Sequence, residues 1–102
     1  MKRIAVLLIF AALTFAVHAD DAVSLYTAKC KMCHGANGAA DTPMGKKLAL
    51  KALGSPEVQK KDDAGLVKVI TKGNGKMPAF ENKIAADQIK QLVAVIRGFA
   101  KK

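Results

Sequence analysis

Residues 29–35 read KCKMCHG, and this stretch decides the fold because it holds both cysteines of the 102-residue chain and one of its two histidines. Cys30 and Cys33 stand three apart, with His34 directly after the second. Residues at that spacing share one face of a helix, so both thiols can reach a single flat partner while the adjacent imidazole projects elsewhere. Three chemistries use such a set: thiol–disulfide exchange, metal ligation, and covalent attachment of a prosthetic group. The seven residues do not choose among them; the rest of the chain does.

Working outward, the N-terminal side reads as a secretory signal. Lys2 and Arg3 precede the apolar run IAVLLIFAALTFAV (4–17), and Val17-His18-Ala19 offers small residues where a signal peptidase cuts. The run falls short of the roughly 20 apolar residues of a membrane-spanning helix. The expected organisation is therefore a cleaved signal peptide, 1–19, and one domain, 20–102, with no membrane insertion after cleavage. Cleavage removes His18 and two of the 17 basic residues but none of the eight acidic ones, leaving 15 basic against 8 acidic. A domain this small buries a modest share of its surface, and its aromatic residues reduce to Tyr26, Phe80 and Phe99. A bound group is expected to fill the centre.

On the C-terminal side no stretch alternates as a strand does, and the pattern is all-α with three or four helices. Ala22 to Lys31 enters the cysteine segment as a first helix, with Asp20 and Asp21 at its positive end. GANGAADTPMG (35–45) is a loop, KKLALKAL (46–53) a short helix, and SPEVQKK a further loop. DDAGLVKVITKG (62–73) carries Leu66, Val69 and Ile70 on one face, with an Asp to cap its start and Gly73 to end it. GNGKMPAFENK (73–83) is the second long loop. Ala86 to Ala100 closes the chain with Ile89, Leu92, Val93, Ile96 and Phe99 at helical spacing. Two long loops in so small a domain order many residues for little burial, unless both wrap a common group.

That context weighs the three chemistries. An activated C-x-x-C thiol pair belongs to a strand–helix–strand setting and opens a helix, whereas here the motif follows one. A zinc site needs three or four protein ligands, and Cys30, Cys33 and His34 are the only Cys and His after cleavage. C-x-x-C-H is also the attachment signature of c-type haem, in which both thiols reach the vinyl groups and the histidine reaches the iron. A second axial ligand would be a methionine. Met32 lies inside the attachment loop and Met44 soon after it. Met77 sits in GNGKMPAF, where Gly73 and Gly75 permit a tight path and Pro78 holds Met77 extended.

With LYTAKCKMCHG (25–35), TPMGKKL (42–48), GLVKVITKGNGKMPAF (65–80) and QIKQLVAVIRGF (88–99), the chain resembles the class I c-type cytochromes, small bacterial monohaem members in particular, over residues 22–100. The resemblance implies a compact cytochrome c fold of helices around one covalently bound haem, with first and last helices crossing. It implies thioethers at Cys30 and Cys33 and iron held by His34 and Met77. It also implies a Pro43 carbonyl accepting from His34 Nδ1–H, with Phe80 completing the cofactor-binding set. The chain departs from the family at the crossing, where Ala22 and Val95 replace the frequent glycine and aromatic pair. It departs again at Ala85, which offers the last helix no side-chain cap and leaves Asn82 or Asp87 to serve.

An iron closed by His and Met has no free position for substrate, so the expected role is a soluble, exported, monomeric electron carrier of the bacterial periplasm, not an enzyme. The alternative is a haem-based small-molecule sensor or peroxidase-like domain with a labile Met77 bond. Lys29, Lys31, Lys46, Lys47, Lys51, Lys76 and Lys83 would form a basic rim for redox partner proteins with acidic docking surfaces. Dispersed charge and few aromatics argue against nucleic acid.

Overall fold

The computed structural model describes residues 19–100; the signal-peptide reading of the N-terminus lies almost wholly outside them. Among the described residues six helices follow one another: α1 (Ala19–Lys29), α2 (Lys31–His34), α3 (Pro43–Lys47), α4 (Pro56–Gln59), α5 (Asp63–Lys72) and α6 (Ala86–Gly98). Only α1, α5 and α6 exceed two turns, and the described residues hold no strand beyond an isolated bridge between Asn74 and Met77. The all-α expectation holds, with short helices added where loops were expected.

The apolar stripe of α6 builds the centre. Ile89, Leu92, Val93 and Ile96 are all buried, and Leu92, 2% exposed, is the most enclosed side chain. Each such side chain contributes about 1.5–3 kcal/mol by leaving water. Leu66 and Ile70 of α5, Tyr26 of α1, and Phe80 and Ile84 of the loop before α6 complete one cluster. Both α1 and α5 pack on α6, so first and last helices do meet. Ala22 is buried in α1, and Val95 lies against the cluster. Tyr26 and Phe99 supply the aromatic contact, with ring centroids 5.2 Å apart and planes inclined by 56°.

Local signals explain the boundaries. Asp62 Oδ1 accepts from Gly65 N at 2.7 Å and caps α5. At the start of α6, Gln88 Oε1 accepts from Ala85 N at 2.8 Å. This is half of a capping box, since Ala85 has no oxygen to return the bond. Gln88, rather than Asn82 or Asp87, secures that end. The short helix expected over 46–53 instead begins at Thr42-Pro43: Thr42 accepts from Gly45 N, Pro43 stands at the first helical position, and Ala49 at φ 52° lies beyond its end. SPEVQKK is not all loop, because Pro56 stands at the first position of the single turn of α4, although Ser55 before it makes no side-chain cap.

The long middle connection is riveted to α6. Gln59 Nε2 donates to the carbonyls of Leu53 (2.8 Å) and Ile96 (2.9 Å). Arg97 donates to the carbonyls of Gln59 (2.7 Å) and Lys61 (2.5 Å), and its guanidinium lies 2.9 Å from Asp63 Oδ1.

Candidate functional site

The CKMCH segment sits at a break between two helices. Cys30 (φ −118°, ψ −30°) ends the run of α1, and Lys31 to His34 add one further turn. Backbone bonds hold the turn: His34 N donates to Cys30 O at 2.9 Å, and Ala40 N donates to His34 O at 2.8 Å. Gly35 then exits at φ 82°, a conformation open to glycine. Its carbonyl accepts the buried Tyr26 hydroxyl at 2.6 Å, which ties the exit back to α1.

A second strap comes from α3. Thr42 Oγ1 donates to Cys33 O at 2.9 Å while accepting from Gly45 N at 2.9 Å, so one hydroxyl both caps a helix and holds the motif. The approach is close: a Cβ on Gly45 would stand 2.4 Å from Ala40 O and 2.6 Å from Cys33 O. Only a residue without one fits. Sequence reasoning passed over Tyr26, Thr42 and Gly45 as site supports, although Thr-Pro was legible as a helix start.

The two thiols are free and half-buried, with no disulfide between them. Burial, and then the neighbouring Cys33, pushes the Cys30 thiol up to about 11. An activated redox thiol needs the opposite shift, so thiol–disulfide exchange fits poorly. No three His, Cys, Asp or Glu side chains converge as a metal-binding group among the described residues, which disfavours the zinc reading.

His34 is half-buried, and desolvation lowers its pKa, a shift toward the neutral form that ligates metals. Its Nδ1 is buried without a hydrogen-bond partner. The expected bond to the Pro43 carbonyl is therefore not formed. Pro43 is the first, exposed residue of α3.

Met77 lies in a loop fixed at both ends. Asn74 and Met77 exchange backbone bonds of 3.1 and 2.9 Å, and Phe80 N donates to Ile70 O at 3.0 Å. Lys72 Nζ lies 2.9 Å from both carboxylate oxygens of Glu81 across the loop's base. Gly73, at φ 77°, lets the return strand pass: a Cβ there would meet Met77 O at 2.6 Å and Ala79 N at 2.9 Å. Met77 and Cys30 both pack against the one hydrophobic cluster, of which Phe80 is a buried member. The structure thus brings the loop and the motif to the same core.

These residues fit a covalently held haem. Two unpaired thiols stand three residues apart, and the imidazole beside them is desolvated, with a buried Nδ1 that has no hydrogen-bond partner. Met77 is held by the backbone bonds of its loop and also packs against the core cluster. An all-α fold carrying such a set is that of a c-type cytochrome.

Comparison with known proteins agrees. Residues 18–96 match the family described as cytochrome C oxidase, cbb3-type, subunit III. Cytochrome c6 of Leptolyngbya boryana is 31% identical over 80 residues, covering 76% of this chain and 88% of that protein. Among solved structures, the KustC0563 c-type cytochrome superposes with a TM-score of 0.73 at 34% identity, over 78% of this chain and 98% of its own. A tyrosine-to-phenylalanine variant of that protein gives a TM-score of 0.70 at 33% identity. The chain belongs to this cytochrome c family as a small monohaem c-type cytochrome of class I, an electron carrier.

Proposed function

We propose that the chain is an exported carrier, periplasmic in a bacterium, which holds one haem c through thioethers at Cys30 and Cys33, with His34 and Met77 as axial ligands. The observation that carries this reading is the half-buried His34 ring beside two free thiols, with Cys30 and Met77 packed against one core cluster. When bound, haem supplies a one-electron ferric–ferrous couple. The residues then act by holding still. Tyr26 and Thr42 anchor the carbonyls of Gly35 and Cys33, so the turn that presents His34 is fixed from two sides. The Asn74–Met77 pair and the Gly73 approach fix the sulfur's backbone, and Phe80 keeps water from the apolar side. Ligands that do not move between oxidation states suit outer-sphere transfer, and a closed iron has no position for substrate.

The basic surface supports docking to a redox partner with an acidic face. Lys29, Lys31, Lys46, Lys47 and Lys76 are exposed and form no ion pair among the described residues, whereas Lys51 pairs with Glu57 and Lys83 lies 5.5 Å from the Phe80 ring centre. No described helix is long and apolar enough to cross a membrane.

Ligation is the test. The oxidised protein should show a weak long-wavelength sulfur-to-iron band that Met77→Ala abolishes, and its intact mass should include haem that survives denaturation. A spectrum unchanged in Met77→Ala overturns the ligand assignment. Partner-reduction rates should fall as salt rises; rates indifferent to ionic strength overturn the docking assignment.

A further inference from the structure

The chain contains two Asn-Gly pairs, Asn37-Gly38 and Asn74-Gly75. In such pairs the glycine nitrogen can attack the asparagine side chain, because no Cβ on the second residue shields it. The fold treats the two pairs in opposite ways. Asn37 Oδ1 accepts from Ala39 N at 3.1 Å, and Gly38 N donates to Gly35 O at 3.2 Å. Gly38 is buried, and Leu53 N donates to its carbonyl at 2.7 Å. Electrophile and nucleophile are both restrained there.

Asn74 is exposed, and neither its side chain nor the Gly75 N–H makes a hydrogen bond among the described residues. The space within 4 Å of a Cβ on Gly75 is empty. Gly75 sits at φ 58° while Lys76 keeps negative φ, the pattern of a two-residue II′ turn joining Asn74 to Met77. The two reacting groups thus lie at a free turn tip. The flanking residues are locked: Asn74 and Met77 exchange two backbone hydrogen bonds.

We propose that Asn74 is a site of spontaneous deamidation, and that its conversion unlocks the Met77 loop. The Gly75 amide nitrogen gives its proton to solvent hydroxide and bonds to Asn74 Cγ. The Cγ–Nδ2 bond breaks, and ammonia leaves with a proton from water. The resulting five-membered imide is opened by one water molecule at either carbonyl, giving aspartate or isoaspartate. Nothing is oxidised or reduced. Isoaspartate inserts a methylene into the main chain within the two-residue turn, so the paired bonds between Asn74 and Met77 lose their register. Either product also places a new negative charge beside Lys76, on the basic rim. The effect on the iron rests on Met77 as its ligand; the effect on the loop does not.

The experiment ages purified holoprotein at mildly alkaline pH, maps its peptides by mass, and separates the acidic fraction by ion exchange. Asn74 should gain acid, mostly as isoaspartate, while Asn37 lags about thirtyfold, the cost of opening two ordinary hydrogen bonds. In the acidic fraction the Asn74 and Met77 amides should exchange with solvent faster, and Asn74→Gln, whose longer arm closes a ring slowly, should keep their protection. Equal conversion at the two sites, or an acidic fraction with undiminished protection at Met77, overturns the proposal. The sulfur-to-iron band should weaken in that fraction. If Met77→Ala leaves the band untouched, the ligand assignment fails, while peptide map and amide exchange still decide the deamidation.

Discussion

Gly45→Ala tests how tightly the third helix is pressed against the cysteine motif. The added Cβ would lie 2.4 Å from the Ala40 carbonyl oxygen and 2.6 Å from that of Cys33. Both obstacles are main chain, so no rotamer relieves them, and α3 must retreat by about 1 Å to reach ordinary contact. Retreat strikes the Thr42 hydroxyl, which bonds Gly45 N and Cys33 O at 2.9 Å each. Two hydrogen bonds at about 1 kcal/mol each, with a desolvated carbonyl left unpaired, give a loss of about 2–4 kcal/mol. In a domain of this size that lowers Tm by about 10–25 °C. Thermal unfolding followed by far-ultraviolet circular dichroism measures it, with Gly98→Ala as the matched control. At Gly98, in the last turn of α6, nothing lies within 4 Å of a Cβ, so the same change should raise stability by about 0.5–1 kcal/mol. A Gly45→Ala protein melting within about 3 °C of wild type refutes the close-approach reasoning.

Three further outcomes follow from the same contacts. Tyr26→Phe keeps the ring pair with Phe99 but removes the shorter of the two bonds to the Gly35 carbonyl, which Gly38 N still reaches at 3.2 Å, and should cost about 0.5–1.5 kcal/mol in chemical denaturation; an unmoved midpoint contradicts it. Burial, then Cys30, raises the Tyr26 hydroxyl from 10.0 to about 12, so its contribution is complete below pH 10 and fades as pH climbs toward 12. The fade is at most about 1.4 kcal/mol per pH unit, and Tyr26→Phe should remove it from the stability–pH curve. Arg97→Met should cost about 2 kcal/mol by freeing the carbonyls of Gln59 and Lys61, whereas Asp63→Asn, which breaks only an exposed ion pair, should cost under about 1 kcal/mol; equal losses would locate the energy in the ion pair.

The sequence showed the long helices and the chemistry better than the joints between them. α5 and α6 follow from apolar spacing and from Asp62 and Gly73, because their stripes face one core and nothing competes. The 46–53 segment misled because Leu48, Leu50 and Leu53 suggest a continuing helix, while the helix is set by the Thr42 cap and Pro43 and is over before Ala49. Cys30, Cys33 and His34 were visible as a spaced motif, and Met77 through the Gly and Pro around it. Tyr26 to Gly35 and Thr42 to Cys33 were not, since each joins residues nine apart across a turn whose direction the sequence does not specify. The Pro43 carbonyl was assigned to His34 by resemblance; in this structure His34 Nδ1 has no partner.

Arg97 and Gln59 tie the last turn of α6 to the middle of the chain. Fraying of a C-terminal turn usually leaves the rest of a domain untouched. Here, releasing the last turn of α6 also releases the connection around residues 59–63, more than thirty positions upstream, and exposes the face on which α1 rests. Melting should therefore be all-or-none, with probes near the first helix, the middle connection and the last turn reporting one shared transition.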